Sequence, residues 1–176
     1  MPKPAAACLF ALAFCAALSA QGPEYGLGHA PSEQDIQAID ISVGPDGANL
    51  PPGSGTAADG AQLYERTCRE CHGPEGKGSE ETGFIGTPQD LHLEKPKKTV
   101  GSYWPHATTL FDYIRRAMPF KTPGSLSNDQ VYAVTAYILS LNGLVPADGS
   151  LDAEKLKQIQ MPNKDGFVPD ARPDVK

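Results

Sequence analysis

Apolar side chains recur at the spacing of one helix face in three stretches of the chain, residues 57–67, 109–117 and 127–143. Pro119 lies just beyond the second stretch and cannot continue a helix, while Gly143 lies at the end of the third. The pattern therefore predicts an all-α fold with three core helices.

Polar residues at the starts of these stretches predict how the helices begin. Ser127 and Gln130 have the spacing of a capping box before the third helix, and Thr109 and Asp112 resemble one at the second. Small side chains would let the first and third helices cross closely. They are Gly60, Ala133 and Ala136.

Glycine, proline and serine interrupt the pattern on both sides of a compact domain at 56–145. Residues 21–55 predict an extended arm with one short helix at 33–39, and residues 146–176 predict a helix at 151–159 followed by a tail. Both extensions carry apolar side chains that we expect to pack against the core or, as we favour, a partner protein. They are Ile36, Ile39, Ile41, Leu156, Ile159, Phe167 and Val168.

Residues 1–20 have the composition of a secretory signal peptide. Lys3 provides a positive start, residues 5–18 are apolar, and Leu18-Ser19-Ala20 is an acceptable cleavage site. The apolar run is too short to predict a membrane-spanning helix. We therefore expect the chain to be exported, cleaved after residue 20 and located in the periplasm, without a membrane span.

The charge balance limits the class of partner. The chain has 15 Lys and Arg against 21 Asp and Glu, a formal net charge of −6, and we find no basic run in it. An acidic chain of this kind is a poor nucleic-acid binder, so we expect no nucleic-acid partner. Cleavage of the leader would also remove Cys8 and Cys15, which leaves Cys68 and Cys71 in the mature protein.

Those two cysteines belong to the motif Cys68-Arg69-Glu70-Cys71-His72, which is the attachment sequence of a c-type haem. The two thiols add across the two vinyl groups of haem, and the histidine ligates the iron through a neutral ring nitrogen. A thioredoxin-like redox pair would need a βαβ context, and a zinc site would need a second ligand pair. The sequence offers neither, so we predict one covalent haem c.

The second axial ligand of the iron is predicted to be Met118. This residue lies at the end of the second helix, before Pro119, where a thioether can approach the iron on the side opposite His72. A core methionine is the alternative. The other candidates, which we consider weaker, are Met161, His29, His92 and His106.

Further side chains are candidates for the edge of the haem. Trp104 could hydrogen-bond a propionate and Arg115 could pair with one, while a plain core aromatic and a solvated arginine are the alternatives. Pro88 could offer the carbonyl group that accepts the ring N–H of His72 and so orients the ligand.

The order of helix, haem motif, methionine loop and closing helix resembles class I cytochromes c over residues 56–143. Four segments resemble the cytochrome subunit of sulfur (sulfane) dehydrogenase of the thiosulfate-oxidising system: residues 43–55, 101–120, 128–139 and 161–167. This resemblance implies electron acceptance from a subunit with a molybdenum cofactor, and delivery to a further acceptor such as another cytochrome. Related cytochromes serve sulfite dehydrogenases.

Electron transfer, without bond chemistry at the iron, is the function expected of a haem whose two axial positions are filled. A freely diffusing cytochrome c shuttle and a haem enzyme or sensor with an open sixth position remain alternatives. The two extensions favour a docked subunit, because a shuttle needs only the core.

Overall fold

Helices and one short sheet form the fold in the computed structural model, which describes residues 26–79 and 82–172. The elements in chain order are α1 (Glu33–Ile39), β1 (Ser54–Thr56), α2 (Ala57–Thr67), α3 (Arg69–His72), α4 (Ala107–Ala117), α5 (Asn128–Leu141), β2 (Ser150–Asp152) and α6 (Ala153–Gln158). Short 3-10 helices lie at Pro74–Gly76 and Pro88–His92. The predicted leader at 1–20 lies outside the described residues, within which no helix is long and apolar enough to cross a membrane.

The two strands correct the prediction of a purely helical fold. β1 and β2 pair antiparallel, with Gly55 opposite Leu151. Each strand has three residues, which is too short for the alternation of apolar and polar positions that identifies a strand in a sequence. The pairing brings the start and the end of the helical core together.

Residue contacts divide the chain into two units, Met1–Asp40 and Ile41–Lys176. In the first unit, α1 begins at the predicted residue because Ser32 and Asp35 form a capping box. Its apolar side chains are exposed, Ile36 at 46% and Ile39 at 80%. The second unit begins at Ile41. The sequence indicates a later start for the compact domain, at residue 56.

The core of the second unit is built where α2 and α5 cross. A Cβ atom added to Gly60 would overlap the Ala133 carbonyl oxygen, so only glycine allows this separation of the two backbones. The predicted close crossing is confirmed. α4 packs on the other side of α5, where the Phe111 and Tyr132 rings lie 4.5 Å apart.

Residues 41–53 run along α4 and α5 and are tied to both helices. The Asp112 carboxylate accepts a hydrogen bond from the Val43 N–H at 2.8 Å, and the Tyr132 hydroxyl donates to the Pro51 carbonyl at 2.8 Å. The predicted capping role of Asp112 with Thr109 is wrong, because α4 begins earlier, at Ala107. Asp112 instead fixes the incoming segment and pairs with Arg116.

The C-terminal extension also belongs largely to the core. Leu151, Leu156 and Met161 are buried, and Ile159 packs against the same cluster. The expectation that Leu156 and Ile159 face a partner is therefore wrong. The predicted helix at 151–159 is shorter, because Leu151 lies in β2 and Asp152 caps α6.

Candidate haem-binding site

The motif residues lie where α2 ends and one further helical turn follows. Cys68 ends α2, its N–H donating to the Tyr64 carbonyl at 2.8 Å, and Cys71 and His72 lie on α3. Residues three and four apart share a helix face, which places both thiols and the imidazole on neighbouring positions. Gly73 then leaves the helix with a φ of 71°, a conformation that favours glycine.

The imidazole of His72 is held in one orientation and one tautomer. Its Nδ1 lies 2.7 Å from the Thr82 carbonyl oxygen, and because a carbonyl only accepts, Nδ1 carries the hydrogen. The lone pair of Nε2 is then available to a metal. The Phe84 ring stacks on the imidazole with the centroids 4.3 Å apart. The expectation that Pro88 supplies the accepting carbonyl is therefore wrong.

Two adjoining cavities, of about 350 Å³ and about 310 Å³, lie beside the motif. His72 and Met118 line both cavities, so a flat group between these two residues would extend into each. Met118 is reached at the end of α4, where its N–H still donates to the Ile114 carbonyl while its own backbone is extended. The residues shared by both cavities are His72, Thr82, Phe84, Ile114, Met118 and Ile138.

The two cavities differ in chemistry. The first contains Cys68 and Cys71 and is otherwise mainly apolar, with Phe120 at its mouth, where 82% of the Phe120 side chain is exposed. The second contains polar groups from Lys98 and Trp104. This division matches a haem, whose vinyl-derived edge bonds to the cysteines and whose propionates are charged.

Of the predicted edge residues, Trp104 lines the second cavity and packs edge-on against Tyr113 at 5.9 Å. Arg115 is not among the described residues that line either cavity. Its Nη1 donates to the Ile41 carbonyl at 2.8 Å. The arginine thus anchors residues 41–53 rather than facing the haem space.

The weaker ligand candidates lie elsewhere in the described part of the chain. Met161 is buried in the hydrophobic core at 3% exposure and lines neither cavity. His29 and His92 are exposed, and His106 precedes α4 beside Lys157. Met118 is therefore the candidate that the fold brings to His72.

Burial, with a smaller contribution from the neighbouring Cys71, raises the pKa of the Cys68 thiol to about 11. A redox-active pair needs a thiolate at neutral pH, which requires a lowered pKa. This environment is unsuited to the thioredoxin-like alternative.

The residues present fit a covalently bound haem. Two thiols, a histidine with a free Nε2 and a thioether meet at a largely apolar space, and this nitrogen–sulfur donor set is one that haem iron accepts. Among residues 26–79 and 82–172, no three His, Cys, Asp or Glu side chains form a metal-binding group.

Thr82, Phe84 and Lys98 complete the site and were not predicted from the sequence. Thr82 and Phe84 follow the glycine-rich loop after the motif, and Lys98 precedes the aromatic pair at 103–104. Their roles depend on a loop conformation that has no repeating pattern. Proximity to the motif was the only sequence signal for the first two.

Comparison with known protein families gives an independent result. Residues 55–138 match the family described as cytochrome c oxidase, cbb3-type, subunit III. The chain is 31% identical over 113 residues to the fructose dehydrogenase cytochrome subunit of Gluconobacter japonicus, covering 60% of this chain and 23% of that protein. It is 31% identical over 90 residues to thiosulfate dehydrogenase of Stutzerimonas stutzeri (strain A1501), covering 51% of this chain and 29% of that protein. The chain thus spans under a third of either relative.

A solved structure is similar over more of the chain. The structure of the sulfane dehydrogenase SoxCD from Paracoccus pantotrophus matches with a TM-score of 0.76 and 41% identity, covering 86% of this chain and 75% of that one. The helix order, the cysteine–histidine motif and these relatives all indicate the same class of protein. This chain belongs to the c-type cytochromes. Within them it falls in the family of the cytochrome subunits of dehydrogenases, which includes sulfane dehydrogenase SoxCD.

Proposed function

We propose that this chain is the electron-accepting cytochrome subunit of a molybdenum-cofactor sulfur (sulfane) dehydrogenase, located in the periplasm after removal of its leader. The observation that carries the proposal is the 41% identity to SoxCD over 86% of this chain. That share is far more than residues 56–145 account for, so the likeness includes the extensions as well as the haem core.

In this proposal Cys68 and Cys71 would anchor one haem c covalently, and His72 and Met118 would be the two residues that hold its iron, as in class I cytochromes c. Haem c supplies reversible one-electron chemistry at its iron. Thr82 fixes the His72 ring by accepting its Nδ1–H. The apolar lining would limit access of water, and with His72 and Met118 both holding the iron, no position would remain for a substrate.

The partner surface includes exposed apolar side chains outside the cavities. Ile36 and Ile39 are exposed on α1, and Phe167 and Val168 are exposed in the tail. Complete burial of such side chains contributes about 1.5–3 kcal/mol each, although ordering and association offset much of this. We expect a stable interface above the roughly 1,200 Å² typical of weak redox encounters. A further cytochrome is the expected electron acceptor.

Covalent attachment is the first test. One haem per chain should remain through denaturation and through acid–organic extraction, because thioether bonds survive both treatments. Haem that extracts freely would contradict the roles of Cys68 and Cys71.

Reduction by the partner is the second test. Haem absorbance is followed after mixing with a purified molybdenum dehydrogenase subunit and either carrier-bound sulfane sulfur or sulfite, with the dehydrogenase omitted as the control. We expect sulfane-dependent reduction that persists at high salt, because a docked apolar interface is little screened. Reduction by the dehydrogenase subunit with sulfite, but not with carrier-bound sulfane sulfur, would assign the chain to a sulfite dehydrogenase. Transfer abolished by salt, with no isolable complex, would favour the diffusing shuttle.

A further inference from the structure

The polar cavity contains one cationic side chain suited to a haem carboxylate. Among the described residues, Lys98 is the one Lys or Arg that lines either cavity. Haem carries two propionates, and a carboxylate near a low-dielectric space is costly unless a cation or hydrogen-bond donor meets it. The cavity that contains Lys98 also contains Trp104, whose indole N–H is a donor.

Arg115, the propionate candidate from the sequence, and its neighbour Arg116 are both engaged elsewhere. Arg115 donates to the Ile41 carbonyl at 2.8 Å. Arg116 donates from Nε to the Asp112 carboxylate at 2.8 Å and from Nη2 to its second oxygen. Recruiting either arginine to the haem would release residues 41–53 or leave Asp112 without its cation.

The backbone on both sides of Lys98 is fixed. The Ser102 hydroxyl donates to the Lys97 carbonyl and accepts from the Thr99 N–H at 2.8 Å, and Thr99 and Ser102 are buried. The Lys98 ammonium lies 5.2 Å from the centroid of the Tyr103 ring, close enough for a cation–π attraction. This turn therefore fixes the backbone position from which the Lys98 side chain lines the polar cavity.

We propose that Lys98 is a positioning residue that binds a haem propionate and raises the reduction potential of the iron. The inference rests on the proposed haem site. The oxidised haem carries one more positive charge than the reduced haem, so a nearby cation favours reduction. Because Lys98 is exposed, salt weakens but does not remove this effect.

The test compares two adjacent lysines in the full-length holoprotein. Lys98→Gln and Lys97→Gln remove the same charge one residue apart, but only Lys98 lines the cavity. The reduction potential is measured by spectroelectrochemical titration. We expect a lower potential in Lys98→Gln, a smaller change in Lys97→Gln, and recovery toward the wild-type value in Lys98→Arg. All three variants should keep the covalent haem. They should also keep the weak far-red sulfur-to-iron charge-transfer band that methionine ligation gives the oxidised protein.

Equal shifts in Lys98→Gln and Lys97→Gln would overturn the proposal, since the effect would then be one of general surface charge. No recovery in Lys98→Arg would also count against a charge contact. If Arg115→Gln lowers the potential and Lys98→Gln does not, the propionate is held by the arginine instead. None of these results would bear on the proposed function, which is tested by covalent attachment and by reduction with the dehydrogenase. Wild-type protein without bound haem, in contrast, would refute both the proposed function and the role of Lys98.

Discussion

Single residues hold the two proposed ligands in different ways. His72 has a hydrogen bond to the Thr82 carbonyl and a stacked Phe84 ring. Met118 is placed by the end of α4, where the helix gives way to extended backbone before Pro119. The histidine is thus constrained by its side-chain contacts, and the methionine chiefly by its position in the chain.

Substitution of the two methionines should separate ligation from packing. Met118→Ala should abolish the weak far-red sulfur-to-iron charge-transfer band of the oxidised protein, lower the potential and admit cyanide or carbon monoxide. Met161→Ala should keep the band but lower the free energy of unfolding by about 2–5 kcal/mol, because a buried side chain is lost. Absorption spectra and denaturant titrations check both. Loss of the band in Met161→Ala would reverse the ligand assignment.

Asp112 gives a prediction for the pH dependence of stability. Hydrogen bonds from Arg116, with the Val43 N–H, hold the pKa of the Asp112 carboxyl below its ordinary value. A pKa that is lower in the folded state contributes stability above the unfolded pKa, and this contribution is lost as the pH falls through the folded value. Asp112→Asn should cost about 1.5–3 kcal/mol at pH 7.

The cost should begin to shrink as the pH falls below the ordinary aspartate pKa of about 3.9, and should shrink further as the pH passes through the lower folded value. Denaturant titrations between pH 2 and 7 check this, with Asp59→Asn as a control for an exposed aspartate in the first turn of α2, whose carboxylate accepts a hydrogen bond from the hydroxyl of the N-cap residue Thr56. A difference between Asp112→Asn and wild type that does not vary with pH would mean that the charge of Asp112 is not what stabilises the segment.

The residue-level predictions from the sequence are simplest to make where the chemistry is local. Cys68, Cys71 and His72 lie within five consecutive residues, and their spacing alone predicts the cofactor. The acceptor for His72 was misassigned because a backbone carbonyl in an irregular loop has no residue signature. Arg115 was misassigned because its partner, the Ile41 carbonyl, lies 74 residues away.

At the scale of elements, the crossing of α2 and α5 positions residues that line the site. α2 carries Cys68 at its end, and α5 supplies Ile138 to both cavities. Gly60 and Gly55 both face Ala133 at distances that a Cβ atom does not tolerate. The helix that bears the motif is therefore positioned by backbone contact.

Gly60→Ala tests this contact through the sign of its effect. Helix propensity alone predicts a gain of about 0.5–1 kcal/mol. The added Cβ would meet the Ala133 carbonyl oxygen, so we expect a loss of about 1–3 kcal/mol in the free energy of unfolding. Ala58→Gly, at an exposed position of the same helix, is the propensity control. A stabilised Gly60→Ala would refute the close crossing.

Helices α2 and α5 were predictable because each combines a clear apolar stripe with a capping residue, Thr56 or Ser127. The start of α4 was not, because Asp112 has the spacing of a cap but its partner Val43 lies 69 residues earlier. Long-range contacts of this kind leave no trace in local spacing. The pairing of β1 with β2 is also a long-range contact, so local spacing does not predict it either.

For the whole molecule, the contact boundary at Asp40 defines which part of the arm belongs to the haem unit. Residues 41–53 are hydrogen-bonded to α4 and α5, whereas the side chains of α1 are exposed. The apolar residues proposed for partner docking are thus those of the first unit and the tail beyond Met161.

Deletion of residues 26–40 should weaken the complex with the dehydrogenase subunit and leave the haem spectrum and potential unchanged. Deletion of residues 41–53 is the matched comparison and should instead destabilise the haem unit, because Val43 and the contacts to Asp112 and Tyr132 are lost. Affinity by titration and visible spectra distinguish the two. Unchanged affinity after the first deletion would remove α1 from the interface.

The last part of the chain contacts a wall of the haem space. The Asn163 side-chain amide donates to the Tyr103 carbonyl at 2.8 Å, and Phe167 packs edge-on to the Tyr103 ring at 5.1 Å, next to Trp104. Because a chain is synthesised from its N-terminus, the cysteine–histidine motif is complete long before these residues exist. The residues that would hold the haem and the residues that support this part of the site are therefore separate stretches of the chain. A chain cut short before Asn163 would carry its cofactor behind a wall that lacks its final support.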